Sequence, residues 1–188
     1  MSSVCRVRIE FNWWRACLGV FLLGIAPIHP ARADLSGSAT VIDGDSLIVA
    51  GRRLQLHAVA APDPAAECTP TTGSWRCGHL ATLSLTAHVT DRELRCITHE
   101  TSQGAWPATC FLDQENLNAW LVTQGWALAA NGDNAYRDAE EQARRQAKGV
   151  WRDNFEPPSE WRTPAQSLDS PPFVCDSCAL RKQRLKRN

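Results

Sequence analysis

Hydrophobic and polar residues alternate in the part of the chain that follows residue 33. Residues 36–42, 46–50 and 53–59 have the lengths and the aliphatic content of short strands. In the third segment, Leu54, Leu56 and Ala58 alternate with Arg53, Gln55 and His57. A period of two gives one buried face and one polar face, so the pattern predicts three consecutive strands.

The next stretch is broken by residues that oppose regular structure. Residues 61–75 contain three prolines and one glycine, which predicts a loop. A helix is expected at about 78–89. Two further strands, 93–99 and 108–112, are joined by a polar link containing Gly104 and Pro107, which is typical of a hairpin.

Helical periodicity returns near the end of this region. A short helix is expected from Asn116, with Gly125 ending it in the left-handed conformation. A third helix, at about 135–148, repeats Tyr136, Ala139, Ala143 and Ala147 on one face and stops at Gly149. Five strands with a helix after the third predict a mainly β fold with α, namely a five-stranded Greek-key OB-fold barrel with about three helices.

The two ends of the chain differ from this central region. Residues 1–33 combine three arginines, an apolar stretch too short to span a bilayer and Ala31-Arg32-Ala33, which predicts a signal peptide cleaved after Ala33. The protein is then expected in the periplasm or secreted, with no transmembrane segment in the mature chain. We place one domain at 34–155 and a proline-rich, CxxC-containing basic tail at 156–188.

Charge is distributed unevenly along the expected mature chain. Residues 34–180 hold 11 basic and 19 acidic side chains, whereas the last eight residues hold five basic ones. These five are Arg181, Lys182, Arg184, Lys186 and Arg187. The acidic body argues against avid binding of polyanions, so any nucleic acid or polysaccharide partner is expected to bind the tail. The alternative is a solvated, protease-sensitive tail.

Six cysteines remain after the leader, which favours disulfides in an exported protein. Proximity along the chain indicates the pairs Cys68 with Cys77, Cys96 with Cys110, and Cys175 with Cys178. Six cysteines permit about 15 pairings, so other arrangements stay open. A zinc site at Cys175 and Cys178 is the rival interpretation, although no second ligand pair has metal spacing.

Three sequence blocks carry a resemblance to a known family. Residues 41–63 read VIDGDSLIVAGRRLQLHAVAAPD, residues 117–127 read LNAWLVTQGWA, and residues 149–151 read GVW. Together they resemble the thermonuclease-like (staphylococcal nuclease) family, over about residues 36–151. The resemblance implies an OB-fold barrel and phosphodiester hydrolysis with calcium, carboxylate ligands, two arginines and a glutamate. It includes an exported type encoded with rhizobial genes for the exopolysaccharide succinoglycan.

The carboxylates that the resemblance assigns are only partly present. Asp45, with Asp43 beside it, falls on the calcium-binding turn, and the position of the second carboxylate ligand is Ala60. Calcium binding is therefore expected to be weak. Asp63 takes the position of the catalytic glutamate. For all three aspartates the alternative is hydrogen bonding to the backbone of a turn.

The two arginine positions of the resemblance are uncharged here. They fall on Gln55 and Ala105, so the sequence predicts an inactive or severely weakened nuclease. Arg53 is the candidate substitute cation, or else a surface group. Trp106 is a candidate for stacking a base or sugar, or else a packing residue, and His57 is a candidate replacement base.

Three functions remain open at this stage. The first is a binding or accessory protein on a degenerate nuclease barrel. The second is a weak calcium-dependent phosphodiesterase acting on DNA or RNA through Arg53 and Asp63. The third is an accessory role in exopolysaccharide (succinoglycan) biosynthesis, with which an acidic body and a basic tail are compatible.

Overall fold

The computed structural model describes residues 34–71, 73–99, 105–130 and 132–162. The predicted signal peptide, Cys175, Cys178 and the basic tail lie outside these ranges. Within the described ranges, no helix has the length and apolar character needed to cross a membrane.

The described ranges contain eight strands, of which five are long enough to build a barrel. Their bounds are β1 Asp34–Val41, β2 Ser46–Val49, β3 Arg52–Leu56, β4 Val59–Ala60, β5 Glu93–Thr98, β6 Trp106–Leu112, β7 Glu115–Asn116 and β8 Leu128–Ala129. The main sheet has the order β3-β2-β1-β5-β6-β7, and a parallel β3–β6 pairing closes it. This topology confirms the predicted five-stranded OB-fold barrel.

The barrel interior is filled by the apolar side chains that alternate along its strands. Leu47, Val49, Leu54, Leu56 and Leu94 are all at most 1 % exposed. Alternation alone therefore identifies the inward face of β3, because Arg53 and Gln55 stay only partly buried. The core packs against the helices that flank the barrel.

Two disulfides staple this core, as predicted. Cys96 and Cys110 lie opposite each other in the β5–β6 ladder, with their Cα atoms 4.0 Å apart. Cys68 and Cys77 join the proline-rich loop to the start of the first helix. All four cysteines are fully buried, so both bonds lie in the interior.

Three α-helices are present at the predicted places, with different ends. They are α1 Cys77–Val89, α2 Leu117–Thr123 and α3 Arg137–Arg145, and the 3-10 helices Gly149–Asn154 and Ser159–Arg162 follow. The Asn116 side chain caps α2 by accepting the Ala119 N–H at 3.0 Å. Gly125 ends α2 at φ +72°, which confirms its predicted left-handed conformation.

The buried side chain of Asn118 on α2 fixes the helix to the barrel. Its Nδ2 donates to the carbonyl oxygens of His57 at 2.9 Å and Ala108 at 3.1 Å, while its Oδ1 accepts the Cys110 N–H at 3.1 Å. A single amide thus satisfies backbone groups of β6 and of the turn after β3. This explains why an asparagine occurs within the apolar LNAWLV segment.

Several predicted ends of strands and helices differ from those in the structure. The strand predicted at 53–59 stops at Leu56, because Ala58 adopts a left-handed conformation (φ +60°) and turns the chain out of the barrel. The third helix stops at Arg145 rather than at 148, because Ala147 is also left-handed (φ +50°). Beyond the predicted domain end at residue 155, Arg162 bonds to Glu140 on α3.

The turn between β2 and β3 offers a test of backbone strain. Val49 pairs with Arg52, so the turn has two residues, and both Ala50 (φ +50°) and Gly51 (φ +74°) have positive φ. Such a type I′ turn favours asparagine at its first position. We expect Ala50→Asn to raise the free energy of unfolding by about 1 kcal/mol in urea denaturation. The same change at Ala135, an exposed alanine outside the left-handed region, should give no gain.

Candidate functional site

The acidic turn between β1 and β2 is closed on itself. The N–H groups of Ile42 and Asp43 both donate to the Ser46 carbonyl oxygen, at 2.9 and 3.3 Å. The Asp45 N–H donates to Asp43 Oδ1 at 3.1 Å. Both carboxyl groups are buried, since Asp43 is 8 % and Asp45 3 % exposed. The turn therefore holds two neighbouring acids away from water.

Asp45 bonds to the backbone segment that follows β4. Its Oδ2 accepts the Ala61 N–H at 2.7 Å, and its carbonyl oxygen accepts the Leu56 N–H at 2.8 Å. Burial, and then the neighbouring charge of Asp43, raises the pKa of Asp45 from 3.8 to about 8, although the Ala61 hydrogen bond lowers it. The buried Asp43–Asp45 pair therefore releases its last proton at a higher pH than an ordinary carboxyl group does.

The residues around this turn do not fit a calcium ion. Calcium takes about six to eight oxygen ligands, whereas the nearest groups that face Gly44 in this turn are two methyl groups. A Cβ built on Gly44 would lie 2.6 Å from the Ala61 methyl and 3.4 Å from the Ala81 methyl. Ala60, at the second ligand position, is fully buried and apolar. Among the residues described, no three His, Cys, Asp or Glu side chains are grouped for a metal.

Gln55 lies directly beside the turn, where the resemblance expects an arginine. It pairs with Ser46 across the β2–β3 ladder, and its Oε1 accepts the Ser46 hydroxyl at 2.8 Å. Its Nε2 is buried and has no partner within the described part of the chain. Arg53 pairs with Ile48, two rungs further from the turn, and is itself partly buried. Neither residue brings a cation to Asp45 along the ladder.

Asp63 caps a turn in the loop that precedes α1. Its side chain is exposed, and Oδ1 accepts the Ala65 N–H at 2.8 Å, while its carbonyl oxygen accepts the Ala66 N–H at 2.7 Å. A Cβ on Gly78 would lie 1.7 Å from the Asp63 carbonyl oxygen, so this loop docks closely on the start of α1. Asp63 was predicted either to replace the catalytic glutamate or to bond to the backbone of a turn, and its side chain makes the backbone bond.

Trp106 lies at one end of the barrel rather than on its side. It has the same strand parity as the buried Ala108 and Cys110, so its indole continues the inward face of β6 beyond the core. The Arg52 guanidinium carbon lies 4.9 Å from the Trp106 ring centroid. The indole is 37 % exposed, and the neighbouring Ala105 carries no hydrogen-bonding side chain. A protein side chain thus already occupies one place where a ligand ring could stack.

A polar cluster near His57 was missed by the sequence reasoning, which considered His57 alone. The rings of His57 and His99 lie 4.2 Å apart, His57 Nε2 is 3.4 Å from Asp133 Oδ2, and His99 Nε2 is 2.9 Å from Thr109 Oγ1. Burial raises the pKa of the nearby Tyr136. The cluster joins residues up to 76 positions apart, so no local pattern could reveal it. The one feature of this cluster that the sequence pattern indicates is that His57 shares the polar face of its predicted strand with Gln55.

Comparison with known proteins gives one clear relationship. No protein-family model matches the chain. The succinoglycan biosynthesis protein ExoI of Rhizobium meliloti (strain 1021) is 34 % identical over 143 residues, which cover 72 % of this chain and 75 % of that protein. The match covers more than two thirds of each chain. The chain therefore belongs to the family of the succinoglycan biosynthesis protein ExoI.

Proposed function

We propose that this protein is an exported accessory protein of exopolysaccharide biosynthesis, and that its thermonuclease-like barrel does not cleave phosphodiesters. The observation that supports this most directly is the closed acidic turn, where Asp45 bonds to the Ala61 backbone and Gln55 replaces a cation. The relationship to ExoI supports the exopolysaccharide context, because that relative is named for succinoglycan biosynthesis.

Charge explains why hydrolysis of a phosphodiester is disfavoured at this turn. The transition state places extra negative charge on the phosphoryl oxygens, and a single cationic donor there is worth about 10³ to 10⁵ in rate. Gln55 and Ala105 provide no cation, and Asp45 is buried with its Oδ2 already bonded to the Ala61 N–H. The losses are not additive, but even one of them reduces an enzyme towards background.

We expect the protein to act in the periplasm or outside the cell and to bind an anionic polymer. Two buried disulfides are typical of an oxidising compartment, which agrees with a cleaved signal peptide at residues 1–33 and a periplasmic or secreted location. The basic tail, from Arg181 to Arg187, is the segment proposed to bind an anionic polymer. Calcium has no role in this proposal.

A nuclease assay tests the loss of catalysis. We expect the purified protein to cleave neither DNA nor RNA above background with calcium added, and an Asp45→Ala variant to behave identically. A turnover of about 1 s⁻¹ or more, abolished by Arg53→Ala or Asp63→Ala, would instead establish the calcium-dependent phosphodiesterase.

A binding assay tests the accessory role. We expect the protein to be retained on immobilised succinoglycan at low salt and released as salt rises, since counterion release drives binding by clustered cations. Replacing the five basic residues of the tail by glutamine should abolish the salt-dependent part of the retention. If the unmodified protein is not retained at any salt concentration, the proposed role in exopolysaccharide biosynthesis is wrong.

A further inference from the structure

A cleft on the outer side of α3 is separate from the acidic turn. It encloses about 250 Å³, and its lining includes Arg137, Asp138, Glu140, Arg144, Trp151 and Arg162. None of these residues belongs to the turn, to β3 or to the His57 cluster. Sites for drug-sized ligands enclose roughly 300 to 1,000 Å³, so this cleft is suited to a smaller unit.

One wall of the cleft is held rigidly by a largely buried ion pair. Arg162 Nη1 bonds to the two carboxylate oxygens of Glu140, at 2.7 and 2.8 Å, and also to the Ala129 carbonyl oxygen at 3.2 Å. Glu140 Oε1 accepts the Ala129 N–H at 3.1 Å as well. The side chains of Glu140 and Arg162 are only 13 % and 27 % exposed. Charge-assisted bonds of this kind fix the wall before any ligand arrives.

Trp151 contributes a buried indole to the same cleft. It is 3 % exposed, and its Nε1 has no hydrogen-bond acceptor among the described residues. The Arg144 guanidinium carbon lies 5.4 Å from the ring centroid, and Arg144 also pairs with Glu156. An unpaired buried N–H is costly, so a ligand hydroxyl that accepted a hydrogen bond from Trp151 Nε1 would relieve this cost.

The rim of the cleft carries one free charge of each sign. Arg137 and Asp138 line the cleft, and neither has an ion-pair or side-chain hydrogen-bond partner in the described part of the chain. Arg144 and Arg162 are already neutralised by glutamates. A polyanion would therefore meet as many carboxylates as free guanidiniums. A hydroxyl group both donates and accepts, and so can use Arg137 and Asp138 together.

We infer that this cleft binds one sugar ring of an uncharged saccharide segment. Sugar hydroxyls can bond to the donor and the acceptor that Arg137 and Asp138 bring to the lining, beside the rigid Arg162–Glu140 wall. A peptide or a polyanion lacks this alternation of hydroxyl groups. The inference extends the proposed exopolysaccharide role to a second site, which is independent of the basic tail.

The test is a titration of the ¹⁵N-labelled full mature chain with uncharged oligosaccharides from partially hydrolysed succinoglycan. The indole N–H resonance of Trp151 should shift, because Trp151 lines the cleft. Arg137→Ala should weaken the affinity by about tenfold, which corresponds to the loss of one hydrogen bond to a charged group. Lys148→Ala is the matched control, because it removes one positive charge outside the cleft lining and should bind as the unmodified chain does.

The outcomes separate this inference from the accessory role. If the oligosaccharides bind but Trp151 does not shift, or if Arg137→Ala binds as tightly as Lys148→Ala, the cleft is not the site and the accessory role stands. If the unmodified chain binds none of the oligosaccharides, the inference is overturned, while retention on the intact polymer decides the accessory role separately. Preferential binding of tetragalacturonate or of a peptide at Trp151 would overturn the sugar assignment. Equal melting temperatures of the two variants exclude a folding defect.

Discussion

Replacing Gly149 by alanine should lower the melting temperature by about 10 °C, corresponding to roughly 3 kcal/mol of unfolding free energy. Gly149 has φ +54°, and a Cβ there would lie 2.2 Å from the Gly125 carbonyl oxygen. Gly125 is equally constrained, since its own Cβ would lie 2.3 Å from the Lys148 carbonyl oxygen. The Val150 N–H donates to the Gly125 carbonyl oxygen at 2.9 Å, so the two glycines bring the end of α2 against the chain after α3.

Two other glycines separate the causes of this loss. Gly51 has φ +74° and open space around it, so Gly51→Ala measures conformational strain alone and should cost only about 1 kcal/mol. Gly78 has an ordinary φ, and a Cβ there would lie 1.7 Å from a backbone oxygen, so Gly78→Ala measures steric overlap alone. Thermal unfolding of the three variants tests the assignment. Equal small losses at Gly149 and Gly51 would show that the Gly125 contact is unimportant.

Replacing Asp45 by asparagine should stabilise the protein at alkaline pH by about 3 to 5 kcal/mol. Because the folded-state pKa is raised to about 8, Asp45 keeps its proton in the folded state between about pH 4 and pH 8, where the unfolded chain releases it. The stability that Asp45 contributes is therefore complete below pH 3.8 and is lost as pH rises through 8. Asparagine accepts the Ala61 N–H without ionising, so the variant avoids this loss.

Urea denaturation of both proteins across this pH range measures the effect. The difference in unfolding free energy should be small near pH 4 and should grow steadily to pH 8. Asp63→Asn is the matched control, because Asp63 is exposed and its capping bond to the Ala65 N–H survives the change. If Asp45→Asn instead has a lower unfolding free energy than the unmodified protein at pH 8, Asp45 is ionised in the folded state and its negative charge is stabilising.

The barrel was predictable because local patterns determine each of its parts. Alternation along residues 53–56 identified the inward Leu54 and Leu56, and the polar link between two strand-like segments identified the hairpin in which Cys96 faces Cys110. The ends of β3 and α3 were less predictable, because alanines adopt left-handed conformations at 58 and 147. Alanine has no intrinsic preference for that region, so its use there follows from tertiary contacts.

The candidate site was only partly predictable, for a related reason. The absence of arginines at positions 55 and 105 is visible in the sequence, and so is the possibility that Asp63 caps a turn. The state of Asp45 is not, because it depends on burial and on the Ala61 N–H, which the fold brings to its carboxyl group. The α3 cleft likewise combines residues from α3 and both 3-10 helices, including Arg162, which lies beyond the predicted domain end.

The most direct test of whether this barrel lacks nuclease activity is a pH titration of the Asp45 carboxyl group. The ¹³C chemical shift of its carboxyl carbon is followed by NMR with and without excess calcium. Our account predicts a midpoint near pH 8 and a resonance that calcium does not change. A midpoint near the usual 3.8, or displacement of the Asp45 resonance by calcium, would contradict it.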